Sequence, residues 1–225
     1  RGGWAKLEFS KTEHLTSEGY FTYLKEFKGG HSLNAVAGYS YFEKNGENFN
    51  AENYDFGVEG LKYWDLGAGS YLTDGKAAMG SGKNITERLF ALYARANYSY
   101  NDKYMVSATI RHEGSSKFAA ENRWGNFWAL SGGWRVSAEE FMKEFDWVSD
   151  LKVRFGYGVT GNNDFDASYM ANTLSRDQYW MLPSGSWAYV YGPSSNVNPY
   201  LGWEEKKEWN IGVDYSFFGN RMYGK

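Results

Sequence analysis

The sequence predicts an all-β chain: the wall of an antiparallel transmembrane β-barrel, about eight strands of a larger one. Three observations predict it. Stretches of about ten residues alternate apolar and polar side chains, which is the strand period. Aromatic residues make up 20% of the 225 residues, with 27 Gly and only 3 Pro, a bias that favours strands and tight turns. The connections alternate between short and long, as the turns at one end of a membrane barrel and the loops at the other do.

The clearest strand is ITERLFALYARANYSY, residues 85–100. Phe90, Leu92, Ala94, Ala96, Tyr98 and Tyr100 share one face; Tyr93, Arg95, Asn97 and Ser99 share the other. After the turn formers Asn101 and Asp102, YMVSATIRHE places Tyr104, Val106, Ala108 and Ile110 opposite Met105, Ser107, Thr109, Arg111 and Glu113, so the pair reads as a hairpin. NFWALSGGWRV sets Trp128, Leu130, Trp134 and Val136 against Ser131 and Arg135. LKVRFGYGVT sets Leu151, Val153, Phe155, Tyr157 and Val159 against Lys152 and Arg154. KEWNIGVDYSF sets Trp209, Ile211, Val213, Tyr215 and Phe217 against Glu208, Asn210 and Asp214. SLNAVAGYSY groups Leu33, Ala35, Ala37, Tyr39 and Tyr41. Residues 2–10 and 17–27 are weaker strands of the same kind.

The short connections are 28–30, 101–103, 137–150 and 218–222, expected on the periplasmic side. The long ones, 43–84 and 161–206, are expected outside the cell. Within 137–150, Ser137 with Glu140 three residues on has the spacing of a capping box and predicts one short helix, with Glu139 and Glu140 in its first turn, where they favour the helix dipole. Aromatic girdles are expected at both rims: Tyr98, Tyr100, Tyr104 and Trp134 at one, Tyr39, Tyr41, Trp128 and Tyr157 at the other.

Composition excludes several classes. A formal net charge of -3 and a pI near 5.7 do not suit a nucleic-acid binder. The absence of Cys excludes a disulfide scaffold and a thiolate metal site. Mean hydropathy is -0.63, and no run of about 18 apolar residues predicts a transmembrane helix, while alternating barrel strands average to a soluble-looking value. Arg1 opens in mid-pattern without the features of a signal peptide, and RMYGK follows a turn. Both ends therefore read as cuts through a larger protein, with residues 1–225 expected to be one part of a barrel domain.

Catalytic motifs are not expected. GYGVTG, with Gly156, Gly158 and Gly161, matches the dinucleotide string, but a polar loop follows where that motif needs a helix. His14, His31 and His112 form no metalloprotease or triad spacing. Asn162, Asn163, Asp164 and Asp166 group oxygen donors that calcium favours; a loop this polar is more often just solvated, and no cofactor is expected beyond a loop calcium as the minor reading. The long loop carries Tyr169, Tyr179, Trp180, Trp187, Tyr189, Tyr191, Tyr200 and Trp203. Aromatic faces suit sugars, peptides or a docked protein, and packing of the loop on itself is the other reading. Tyr179, Trp180, Trp187, Tyr189, Tyr191 and Trp203 are the candidate contact residues. Arg95, Arg111, Glu113, Arg135, Arg154, Glu208 and Asp214 lie on the polar face, expected to line a lumen and to meet a plug, because charge on a lipid face costs about 2–4 kcal/mol.

GYSYFEKNGENFNAENYDF, ARANYSYNDKYMVSATIRHEGSSKFAAENRWGNFWALSGGWRVSAEEFM, LKVRFGYGVTGNN and NPYLGWEEKKEWNIGVDYSFFGNRMYG resemble the SusC/RagA family of TonB-linked outer-membrane transporters of Bacteroidetes-type bacteria. The likeness covers most of the chain from residue 31 onward. It implies a barrel of about 22 strands around an N-terminal plug, multi-pass residence in the outer membrane, energy delivered through TonB, and a SusD-like surface lipoprotein as a lid. It implies uptake of glycans or peptides and no enzymatic step. A secreted soluble β-domain that binds carbohydrate is the alternative, and it requires the apolar faces to pack on each other in water.

Overall fold

The computed structural model describes residues 2–57, 60, 62–165, 174–193 and 198–225. Its strands are β1 (Trp4–Phe27), β2 (His31–Tyr54), β3 (Ala78–Lys83), β4 (Glu87–Tyr100), β5 (Tyr104–Ser115), β6 (Trp124–Arg135), β7 (Val148–Asn162), β8 (Leu174–Met181), β9 (Trp187–Pro193), β10 (Glu204–Phe217) and β11 (Met222–Gly224). Nine of them form one sheet in the order β1-β2-β4-β5-β6-β7-β10-β11, with β3 paired to β2; β8 and β9 form a separate hairpin. From β4 through β7 to β10 and β11 each strand pairs antiparallel with the next in the sheet, the up-and-down order that the alternating connections predict.

The chain divides into two compact units. In the unit of Arg1–Leu15 and Glu43–Glu87, β2 pairs β3 from Glu47↔Lys83 to Glu52↔Ala78. The buried Asn53 organises the connection that follows: its amide donates to Leu66 O at 2.7 Å and to Gly69 O at 2.9 Å. Asp55 takes a left-handed backbone (φ 60°) and accepts from Ser70 Oγ at 2.8 Å. Tyr54 packs between Trp4 and Tyr71. Two expectations are corrected here. The 2–10 and 17–27 segments are one continuous strand of 24 residues. The stretch 43–84 is not a structureless loop, because β2 runs on to Tyr54 and β3 returns beside it. Strands this long exceed the 9–11 residues that cross hydrocarbon.

In the unit of Thr16–Phe42 and Arg88–Lys225, register aligns like with like across five strands. One row runs Ala96↔Ala108↔Leu130↔Tyr157↔Trp209 and the next Tyr98↔Val106↔Gly132↔Phe155↔Ile211. On the other face one row runs Arg95↔Thr109↔Ala129↔Gly158↔Glu208 and another Asn97↔Ser107↔Ser131↔Gly156↔Asn210. A one-residue slip on any strand would mix the faces; none occurs along these rows.

Hardly any of this surface is packed away. Among the described residues the buried hydrophobics are Ala5, Ala91, Phe118, Phe127 and Val159, whereas Leu92, Val106, Ile110, Leu130, Phe155, Trp209 and Ile211 are all exposed, Trp209 by 67%. A soluble monomer does not leave so large a contiguous apolar face in water. A barrel wall whose outer face meets hydrocarbon does.

The turns follow their residues. Gly29 and Gly30 take φ of 88° and 81° between β1 and β2, and Asn101 and Asp102 take 51° and 54° between β4 and β5, the left-handed region that Gly, Asn and Asp tolerate. The helix expected over 137–150 is corrected to two short 3-10 turns, Val136–Ala138 and Glu140–Met142, without a side-chain cap. Ser137 Oγ donates instead to Asp150 Oδ1 at 2.9 Å. Glu139 and Glu140 therefore sit in no α-helical first turn. The stretch 161–206 is likewise not an open loop but holds the β8–β9 hairpin.

The face assignment makes a quantitative prediction for the full-length protein refolded in detergent or lipid. Leu130→Arg, on the apolar face, should cost about 2–4 kcal/mol in a denaturant titration, and its neighbour Ser131→Arg, on the polar face, less than about 1 kcal/mol. Equal costs would refute the assignment.

Candidate functional site: a polar inner wall, a rim clasp and an aromatic ribbon

Every charged residue expected on the polar face is on it. Arg111 makes a bidentate pair with Glu113, Nε to Oε2 and Nη2 to Oε1 both at 2.8 Å, and its Nη2 also donates to Ser40 Oγ at 3.2 Å. It thus ties β5 to β2 across the intervening β4. Arg95 Nε donates to Thr109 Oγ1 at 3.2 Å. Arg154 Nη2 donates to Asp214 Oδ1 at 2.7 Å, linking β7 and β10. Arg135 lies 3.4 Å from Asp150, and Glu208 pairs with Lys206 at 3.1 Å. Charges held this way lie on the face opposite the exposed apolar rows.

At the opposite end of the strands from the ribbon, the turn after β4 and the link after β6 are clasped by Glu139. Its carboxylate accepts from Tyr104 Oη at 2.6 Å, Lys103 Nζ at 3.0 Å and Trp134 Nε1 at 3.0 Å. These donors hold its carboxyl down to about 2, the Tyr104 bond first, and Glu139 in turn raises the Lys103 ammonium. Tyr104 and Trp134 are paired directly across β5 and β6. His31 joins the same rim, 2.7 Å from the Tyr98 hydroxyl and packed on Tyr100. The expected girdle is therefore a hydrogen-bonded one: amphipathic rings with their polar ends engaged and their bodies toward the membrane. Only the types and spacing of Tyr104 and Trp134 hint at it; the role of Glu139 depends on two connections meeting and was not legible.

The aromatic residues of 161–206 separate into two groups. β8 and β9 pair as Tyr179↔Tyr189, Trp180↔Ala188 and Met181↔Trp187. Period two then places Tyr179, Met181, Trp187, Tyr189 and Tyr191 on one side of the ribbon, with Trp180 on the other. The Tyr179 and Tyr189 hydroxyls hydrogen-bond to each other, with ring centroids 4.2 Å apart. Trp180, Trp187 and Tyr191 are 63–66% exposed.

Trp203 is not with them. It is half-buried, donates its indole N–H to Arg123 O at 3.0 Å, and packs on Phe118 and Phe127 with centroids 5.2 and 5.1 Å away. Phe165 closes this box over Phe118, and Lys117 Nζ donates to Phe165 O at 2.9 Å. The box explains the last glycine of GYGVTG: the Phe127 ring occupies the space a Cβ on Gly161 would need, and the same ring crowds Gly125. In the oxygen cluster nearby, the two asparagine amides hold neighbouring side chains. Asn162 Nδ2 donates to Glu204 at 2.9 Å, Asn163 Nδ2 to Ser115 Oγ at 3.2 Å, and Asn162 Oδ1 accepts from the Asp164 N–H. Asp166 and Tyr169 lie outside the described residues. Tyr200 is 86% exposed.

The family model for the TonB-dependent receptor-like β-barrel matches residues 4–225. The chain belongs to the TonB-dependent receptor β-barrel family. It is 34% identical over 216 residues to TonB-dependent receptor P39 of Formosa agariphila, covering 92% of this chain and 19% of that protein. It is 36% identical over 138 residues to TonB-dependent receptor SusC of Bacteroides thetaiotaomicron, covering 60% of this chain and 14% of that one. The RagAB peptide importer in its "closed-closed" state superposes with a TM-score of 0.76 at 24% identity, over 98% of this chain and 23% of that one. The chain thus spans less than a quarter of the length of these relatives. As part of a TonB-dependent receptor β-barrel it resides in the outer membrane, and the sheet described above is an open segment of that barrel.

Two predictions follow for the full-length receptor. Trp203→Ala should destabilise the extracellular end, seen as raised proteolysis between Phe118 and Phe165, whereas Trp187→Ala should leave the pattern unchanged. The Glu139 carboxyl has a folded value below its ordinary 4.5. Its stabilisation is therefore complete above about pH 4.5 and is lost as pH falls toward 2. The Trp134 indole N–H resonance should stay constant from pH 7 to 4.5 and move only below that. A midpoint near 4.5, or an unchanged resonance in Glu139→Gln, would rule the clasp out.

Proposed function

We propose that this chain is part of the wall of an outer-membrane importer that takes up oligosaccharides or peptides, is energised through TonB, and works with a SusD-like surface lipoprotein. Its task is transport, and no bond of the cargo is made or broken. The observation that carries the reading is the unbroken register of apolar rows on one face and polar rows on the other, without a core between them. That arrangement belongs to a wall with hydrocarbon outside and water or protein inside. The family name supports coupling through TonB, and the likeness to SusC supports the lipoprotein.

The β8–β9 ribbon is our candidate for contact with cargo or lipoprotein. A two-stranded ribbon alone in water is marginal, and one that gathers aromatic side chains on a single side gains by covering that side. Planar rings stack on sugar faces and on peptide groups alike, and they dominate protein contacts as well. The polar inner wall is where we place the plug, opposite Arg95, Arg111, Glu113, Arg135, Arg154, Glu208 and Asp214.

Replacing Trp180, Trp187, Tyr189 and Tyr191 singly by Ala in the full-length transporter tests the ribbon. Affinity would be measured by calorimetry against defined oligosaccharides, short peptides and the purified lipoprotein. At least one ring should weaken one class by about 30-fold, the effect of losing a central anchor. Unchanged affinity for all three would remove the ribbon from function. A requirement for detergent separates the wall from the secreted carbohydrate-binding alternative, which would stay monomeric without it.

A further inference from the structure

The polar face holds a small notch where β5, β6, β7 and β10 run side by side. Its volume is about 190 Å³, and its polar lining is Ser107, Ser131, Lys152, Arg154 and Asn210. Gly132, Gly133, Met105, Val106 and Phe155 complete the lining. Lys152 lies across Gly133, where a Cβ would come within 3.1 Å of its Cε; Asn210 lies across Gly156 and Arg154 across Gly212, each with the same 3.1 Å clearance. Each of these side chains crosses a glycine on the neighbouring strand, and all three line the notch.

The charges there do not balance. Arg154 is on Asp214 at 2.7 Å and Arg135 beside Asp150 at 3.4 Å. Lys152 stands in register between Arg135 and Asp214, yet it has no ion-pair partner among the described residues. Asp214 is already committed to Arg154, and Asp150 also accepts from Ser137. Ser107 donates to Asn97 Oδ1 at 2.7 Å, whereas the Ser131 hydroxyl and the Asn210 amide can still donate into the notch. A half-buried lysine with two neutral donors beside it favours an anion, and a carboxylate fits the donor set. The volume is far below the roughly 300–1,000 Å³ of a drug-sized ligand site, so the notch accepts one side chain or one small anionic group.

We propose that this notch, centred on Lys152, is an anion site that holds a single carboxylate inside the barrel. The carboxylate comes either from a segment of the same protein lodged in the lumen or from an anionic solute passing through. The inference rests on the polar face lining the lumen, and the test separates the two failures.

Ser131→Cys places a thiol in the notch of a protein segment that has no other cysteine; any cysteine elsewhere in the full-length transporter would be changed to Ser. Labelling rates are measured with a sulfonate-bearing and a trimethylammonium-bearing methanethiosulfonate. Each is normalised to Ser184→Cys, in the exposed turn of the ribbon. An open notch should favour the sulfonate over the trimethylammonium reagent by about 16-fold, since one charge roughly 5 Å away in water speeds the first and slows the second by about four-fold each. Lys152→Gln should abolish that preference and Lys152→Arg restore it. A notch filled by the protein's own carboxylate should block both reagents, and Lys152→Gln should then release both. Equal normalised rates that are indifferent to Lys152→Gln would overturn the proposal while leaving the lumen assignment standing. Protection from both reagents that persists in Lys152→Gln, with labelling only by an apolar maleimide in lipid, would overturn the assignment and the proposal together.

Discussion

In hydrocarbon no water is available to the backbone, so every N–H and C=O must find its partner within the protein. The rest of this chain follows from that constraint. Continuous ladder pairing from β4 to β10 satisfies the backbone, and it also locks the register. Locked register is what turns five separately alternating sequences into two coherent surfaces. The sheet then needs no packed core, because the outer surface finds its apolar environment in the membrane and the inner one finds water or protein.

The inner surface shows how charge is managed beside a low-dielectric wall. Most of its ionic groups are paired within the wall, across strands or along one strand, as in Arg154 with Asp214 and Arg111 with Glu113. Exposed pairs of this kind contribute little to stability, about 0–1 kcal/mol each. Their larger effect is to fix where the guanidinium and carboxylate groups stand and so what the wall presents inward. Against that background Lys152 stands apart: it lines a notch beside Ser131 and Asn210 and has no ion-pair partner among the described residues.

The faces of β4, β5, β6, β7 and β10 were legible in the sequence because a half-exposed strand must alternate, and nothing outside the strand can change that period. The extra strand β3 and the continuation of β2 were not, since AMGSGK and ENFNAENY alternate weakly and their pairing is a long-range event. The SAEE string misled for a definable reason. Its spacing suits a capping box, but Ser137 and Glu139 both find stronger partners on neighbouring strands, Asp150 for one and Lys103, Tyr104 and Trp134 for the other. Tertiary hydrogen bonds outweighed a local cap of about 1 kcal/mol.

The aromatic residues make the same distinction more sharply. Trp134, Trp203 and Trp187 are chemically identical, and each sits in a stretch of similar composition. The first has its indole N–H on Glu139 at a membrane rim; the second has it on Arg123 O inside a box of phenylalanines; the third stands on an exposed ribbon face. An aromatic-rich loop therefore does not amount to one binding surface. Trp203 is held by packing and a backbone acceptor, so its energy is spent on shaping the end of β6 and β10. Trp187, with its ring still 63% exposed, retains most of the apolar area that an incoming sugar, peptide or protein could cover. At roughly 25 cal/mol per Å² removed from water, area left uncovered in the folded chain is the part still available for recognition, and more of it remains on the ribbon than in the box.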